Sequence, residues 1–182
     1  EKVELFDQIP RMTDKEIRAT YKWATNGKLE DGTRRIITSL DLDPYKMEAH
    51  NHHLQEKYKT IEENEVRYEK ISCDDADYII VAYGLSARIS QKAIQLLREK
   101  GIKAGLLRPI TLWPFPSKQI AALADSGVKG FLSVEMSAGQ MVEDVRLAVN
   151  GKVKVEHFGR LGGVVHSPEE VAEAMEQKII GG

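Results

Sequence analysis

Four short stretches of this 182-residue chain carry the residue types from which a binding or catalytic site could be built. The first, Tyr83-Gly84-Leu85-Ser86-Ala87-Arg88, joins a glycine, a hydroxyl and a guanidinium at a helix start. Free N–H groups and the helix dipole could hold an anion there. The same residues also fit a plain helix cap beside a surface arginine. The second stretch, Arg108-Pro109-Ile110-Thr111-Leu112-Trp113-Pro114-Phe115-Pro116, holds three prolines in eight residues. Its path is stiff, and Arg108, Trp113 and Phe115 suit contact with another subunit better than a moving lid. The third, Glu135-Met136-Ser137-Ala138-Gly139-Gln140, offers Glu135, Gly139 and Gln140 for polar recognition or for bracing a loop. The fourth, Gly159-Arg160-Leu161-Gly162-Gly163, sets Arg160 beside Gly162 and Gly163, where backbone can approach closely. Caps and glycine turns account for most residues of the last two as well.

Other reactive types lead nowhere. His50, His52 and His53 do not share one helix face at a zinc-binding spacing. Cys73 sits beside Asp74 and Asp75, which disfavours a thiolate. His157 and His166 have no partner visible in the sequence, so no Ser–His–Asp set can be assembled. The fingerprints of a free-standing nucleotide-binding domain, G-x-G-x-x-G and the Walker lysine loop, do not occur.

The elements that must position these stretches alternate in type from Ala76 onward. Asp77 to Tyr83 is a nearly continuous apolar run, as expected of a strand buried on both faces. Helical spacing follows over Ser86–Lys100, then a strand over Ile102–Leu107, a helix over Ser117–Asp125 and a strand over Gly130–Met136. A helix over Gln140–Val149, a strand over Val153–Phe158 and a helix from Ser167-Pro168 to Ile179 complete the pattern. Strands separated by helices predict a mostly parallel sheet with helices on both faces. All four chemistry-bearing stretches would then lie at the carboxyl ends of strands, where ligands and partners meet such sheets.

Residues 1–75 differ in character. They hold 13 basic and 17 acidic side chains and 25 apolar ones, against 13, 11 and 51 in residues 76–182. This predicts a charged arm over 1–75 and a compact domain over 76–182. Within the arm, Thr13 three residues before Glu16 predicts a capped helix, and Asn26-Gly27 and Asp31-Gly32 predict turns. A short strand is expected over Arg35–Ser39, and an amphipathic docking helix from Pro44 to about Glu65. The formal charge of −2 gives no case for nucleic acid or an anionic membrane as main partner. No apolar stretch approaches the ~20 residues needed to span a bilayer, and one cysteine excludes an internal disulfide. A cytoplasmic setting is expected. The start, Glu1-Lys2-Val3-Glu4, is expected to be a cut at a domain junction.

Val81 through Ile89 and Gly105 through Pro116 resemble the alpha subunit of 2-oxoacid:ferredoxin oxidoreductases. Glu135–Gln140 and Gly159–Gly163 are similar to later motifs of that subunit. Trp23-Ala24-Thr25, Arg35 through Leu40 and Leu54 through Glu65 are similar to it as well. The branch it resembles is the ketoisovalerate (3-methyl-2-oxobutanoate) type.

This resemblance implies a three-layer α/β/α sandwich like the transketolase carboxyl-terminal domain. Its five-stranded sheet would be mostly parallel, with one antiparallel strand supplied by Arg35–Ser39. It implies an enzyme that converts a 2-oxoacid, coenzyme A and oxidised ferredoxin to acyl-CoA, carbon dioxide and reduced ferredoxin. Thiamine diphosphate, Mg and iron–sulfur clusters serve the complete enzyme. Expected partners are the thiamine-pyrimidine domain of the same subunit and the beta, gamma and ferredoxin-like subunits. One cysteine cannot ligate a cluster. The chain alone is therefore expected to bind no cofactor, hold no catalytic residue and serve assembly. The alternative is a module that binds an anion, such as coenzyme A phosphates or a regulator.

Overall fold

The computed structural model describes residues 7, 9–25, 27–29, 31–34 and 36–181. Asn26 of the expected Asn26-Gly27 turn and Arg35 of the expected 35–39 strand lie outside them. The chain forms two compact units, Glu1–His52 and His53–Gly182.

In the first unit, helix α1 spans Asp14–Thr20 and opens with the expected capping box. The Thr13 N–H donates to the Glu16 carboxylate at 2.7 Å, and the Glu16 N–H donates to Thr13 Oγ1 at 3.3 Å. Residues 36–39 are not a strand. Helix α2, Pro44–Asn64, begins where proline predicts, and its residues from His53 on belong to the second unit. Asp43 Oδ1 caps it by accepting the N–H groups of Tyr45 and Lys46, at 3.0 and 3.2 Å.

The second unit is a three-layer sandwich. Strands β1 (Tyr68–Ile71), β2 (Tyr78–Ala82), β3 (Ala104–Pro109), β4 (Gly130–Glu135) and β5 (Lys154–Gly159) form one sheet in the order β1-β3-β2-β4-β5. Pairing is parallel except for β1, which runs antiparallel to β3 with Tyr68 opposite Pro109. The antiparallel strand is thus β1 and not the 35–39 segment. Its sequence, Tyr-Glu-Lys-Ile, is that of an exposed edge, where no apolar run is required.

The apolar run of β2 is explained by what covers it. Ile80 and Ala82 pack with helices α3 (Gly84–Glu99) and α6 (Pro168–Met175) on one face. Ile79 and Val81 pack with helices α4 (Ser117–Asp125) and α5 (Met141–Val149) on the other. Ile79, Ile80, Val81 and Ala82 are all fully buried, which contributes roughly 1.5–3 kcal/mol for each of the three larger side chains. Helix α6 gives way to a π-helical turn, Glu176–Ile180, instead of running on to Ile179. The Ser167–Glu170 capping box fixes its start. Arg98 near the end of α3 ties three segments together. Its guanidinium donates to the carbonyls of Ala104 (2.7 Å) and Ser72 (2.9 Å) and to the Asp75 carboxylate (2.7 Å). No helix among the described residues is long and apolar enough to cross a membrane.

Candidate functional site

Because β3 and β4 flank β2 on opposite sides, the chain changes direction across the sheet at β2. The loops leaving β2 and β4 lead to helices on opposite faces, α3 and α5, and the crevice between their carboxyl ends is a topological switch point. The β5 loop borders the same crevice, and the β3 loop lies at the same end of the sheet.

Glu135, the last residue of β4, is buried at 1 % exposure. Its Oε2 accepts the Gln140 and Met141 N–H groups at 3.0 and 2.8 Å and the Ser137 hydroxyl at 3.0 Å. Its Oε1 accepts the Val142 N–H at 2.9 Å and the Ser133 hydroxyl at 3.0 Å. Burial pushes its pKa up, but the N–H groups of Gln140 and Met141, the Ser133 hydroxyl and the Val142 N–H outweigh that. The net result lies below the usual carboxylate range. Glu135 therefore caps α5 from within the protein and occupies the position an external anion would take. Gly139 and Gln140 belong to this brace, with Gln140 as the N-cap residue of α5.

The β2 loop is built differently. Gly84 and Leu85 open α3 at the surface, and no side chain caps the helix. Ser86, at 4 % exposure, turns inward: its Oγ lies 3.3 Å from Nε2 of His166, also at 4 %. Arg88 is exposed on the same helix. His166 further packs on Phe158, with ring centroids 5.3 Å apart, and its Nδ1 has no hydrogen-bond partner. Burial, followed by the nearby Arg160 charge, pushes the His166 pKa down, which favours the neutral ring. His157 Nε2 lies 3.8 Å from Glu135 Oε1. No sequence signal announces the Ser86–His166 meeting, since the partners are eighty residues apart.

On the β5 loop, Arg160 pairs with Glu170 at the start of α6, and its N–H donates to the Glu135 carbonyl at 3.2 Å. Gly162 and Gly163 both take positive φ, +62° and +84°, in an exposed turn. Gly159 is required by close approach: a Cβ there would lie 2.2 Å from the Ser137 carbonyl oxygen.

The β3 loop is tied down. Thr111 Oγ1 donates to the Pro114 carbonyl at 2.8 Å and accepts the Arg67 N–H at 3.0 Å. Arg108 faces Glu69 across the β1–β3 ladder and pairs with it at 3.1 Å. Phe115 is half-buried against the α4/α5 core. Trp113 stays 55 % exposed, its ring edge-on to Tyr58 at 5.6 Å. Of these three contact candidates, Trp113 alone presents a largely free surface.

Exposed apolar residues gather at this end of the sheet. Of the twelve large hydrophobic residues exposed in residues 53–181, eight lie on the strand-end loops. They are Leu85; Ile110, Leu112 and Trp113; Met136; and Leu161, Val164 and Val165. The loop stretches 83–88, 110–117, 136–140 and 160–166 contain Arg88 and Arg160 but no aspartate or glutamate.

Cys73 is buried, and its thiol contacts the Leu106 carbonyl at 3.2 Å. Burial, more than the neighbouring Asp74, pushes its pKa up. Among the described residues, no three His, Cys, Asp or Glu side chains converge to hold a metal ion.

Comparison with known proteins agrees with this architecture. The family described as pyruvate:ferredoxin oxidoreductase core domain II matches residues 76–171, over half the chain. The chain is 48 % identical over 162 residues to ketoisovalerate oxidoreductase subunit VorB of Methanothermobacter thermautotrophicus, covering 89 % of this chain and 45 % of that one. It is 37 % identical over 108 residues to 2-oxoglutarate synthase subunit KorA of Methanothermobacter marburgensis, covering 59 % and 28 %. It thus spans less than half the length of these relatives. Among solved structures, it resembles 2-oxoglutarate:ferredoxin oxidoreductase from Magnetococcus marinus at a TM-score of 0.68 and 21 % identity, covering 82 % and 27 % of the two chains. A split-gene transketolase is similar at a TM-score of 0.53 and 16 % identity, covering 63 % and 41 %. These two likenesses concern the fold, and they are consistent with an α/β fold like the transketolase carboxyl-terminal domain. With the profile spanning the β2-to-α6 region, the chain belongs to the pyruvate:ferredoxin oxidoreductase core domain II family.

Proposed function

We propose that the chain is an assembly domain, with its leading segment, of the alpha-type subunit of a cytoplasmic ketoisovalerate:ferredoxin oxidoreductase. The complete enzyme would use thiamine diphosphate with Mg, coenzyme A and iron–sulfur clusters, passing electrons to ferredoxin. This chain's residues do not fit a cluster: its single thiol is buried against a backbone carbonyl. Its own work is to hold a thiamine-pyrimidine domain and the beta, gamma and ferredoxin-like subunits in place. The observation that carries the proposal is the eight exposed apolar residues on the strand-end loops, a concentration typical of interaction surfaces. The test is co-expression of the chain with the remainder of its subunit and the partner subunits. Co-purification is expected, and Leu161→Asp with Val164→Asp should abolish it.

One observation favours an anion module instead: the first turn of α3 has no side-chain cap. Against it, Ser86 is committed to His166, and Glu135 already fills the N-terminus of α5. Assembly is the better supported role.

A further inference from the structure

Two adjoining concavities in the first unit bring basic side chains together with Trp23. One, of about 650 Å³, is walled by Lys15, Arg18, Lys22 and Lys28, with Asp31 at its margin. None of the four cations forms an ion pair with a described residue, whereas Lys46 of α2 is held by Asp41 at 2.7 Å. Asp31, whose carboxylate accepts the Thr33 N–H at 2.9 Å, offsets only one of them. Among the described lining residues, four cations face one carboxylate, an excess of 4 − 1 = 3 positive charges.

Helix electrostatics explain only part of this arrangement. Arg18 lies in the last turn of α1, where the dipole favours a cation. Lys15 lies in the first turn, where the dipole opposes one, and Lys28 is off the helix altogether. Like charges crowded around one hollow repel each other unless an anion sits among them.

The second concavity, also about 650 Å³, shares Lys28 and is lined by Trp23, Arg34, Ile36 and Ile37. Trp23 is 66 % exposed. Its ring is steadied on one side by Tyr21, with centroids 5.5 Å apart. A large, flat, exposed ring beside a polycationic hollow suits a ligand that has a heteroaromatic end and a phosphorylated end.

We infer that the two concavities together bind a nucleoside diphosphate, with its phosphates among Lys15, Arg18, Lys22 and Lys28 and its base against Trp23. Recognition rests on side-chain charge and stacking, so it needs no glycine-rich phosphate loop. Binding should weaken steeply as salt rises, because the cations are exposed.

The test is calorimetric titration of the full chain at low ionic strength with three probes: adenosine diphosphate, inorganic diphosphate and adenosine. Adenosine diphosphate should bind, inorganic diphosphate should bind about tenfold more weakly for want of stacking, and adenosine should not bind measurably. Trp23→Ala should bring adenosine diphosphate down to the affinity of inorganic diphosphate and leave the latter unchanged, which also shows that the unit remains folded. Arg18→Glu with Lys22→Glu should weaken both phosphate probes at least about tenfold. In a Trp113→Phe chain, Trp23 is the sole tryptophan, and adenosine diphosphate should quench its fluorescence. Absence of binding by adenosine diphosphate at millimolar concentration, or binding that ignores the charge reversals, overturns the inference. Equal affinity for the two phosphate probes in the unaltered chain overturns the role of Trp23.

Discussion

The Glu135 carboxylate accepts the Met141 N–H at 2.8 Å, which makes the end of β4 and the start of α5 one hydrogen-bonded unit. A side chain six residues upstream thereby supplies what a helix N-terminus ordinarily takes from its own cap or from solvent. Replacing Glu135 by Ala leaves buried N–H groups of Met141 and Val142 unpaired. Urea denaturation should show a loss of about 3 kcal/mol, and Glu135→Gln should retain part of it. A loss within measurement error would mean that the brace is incidental.

Glu135 also predicts an acid response. Its folded pKa lies below the ordinary carboxylate range, so its stabilisation is present above that range and is lost as pH falls through the folded pKa. His166 acts in a higher window. Its pKa is depressed from 6.5, so the unfolded chain binds the extra proton first, and stability declines as pH drops below about 6.5. Thermal unfolding followed from pH 7.5 to 5 should show this slope in the unaltered chain and a flatter one in His166→Leu.

Gly159 faces the Ser137 carbonyl with no room for a methyl group. Gly159→Ala should cost about 1–3 kcal/mol as the two loops separate. Gly151, with open space around it but a φ of +73°, offers a comparison in which strain alone is introduced.

Trp113 and Tyr58 join α2 to the proline-rich loop through an edge-on ring contact. Tyr58→Ala should destabilise the second unit by about 0.5–1.5 kcal/mol beyond the lost burial. A double-mutant cycle with Trp113→Ala should return a coupling of that size.

Much of the second unit is legible in the residues themselves. The uninterrupted β2 run implied cover on both faces, and Ile79 and Ile80 pack to opposite sides as that pattern requires. Thr13–Glu16 and Ser167–Glu170 announce their helices by chemistry confined to one turn. The antiparallel strand was misplaced because edge strands need no apolar run: β1 carries Glu69 and Lys70, while Ile36 and Ile37 imitate a strand without joining the sheet. At the strand-end loops, positions were legible and directions were not. Nothing local distinguishes a serine that caps its helix from Ser86, which turns to a histidine eighty residues away. Glu135 was visible as a carboxylate at a strand end, but its five donors come together only once α5 is folded against β4.

The decisive measurement concerns the exposed strand-end face. The chain is co-expressed with the remainder of its subunit and the partner subunits, and the product is assayed for size and for viologen reduction with 3-methyl-2-oxobutanoate and coenzyme A. An assembly domain predicts a co-eluting, active complex, no turnover by the chain alone, and loss of both assembly and turnover in Leu161→Asp with Val164→Asp. That double variant should keep the chain's own stability within about 0.5 kcal/mol, since both positions are exposed. Turnover by the chain alone, or a complex that forms undiminished with the double variant, would contradict the proposed role.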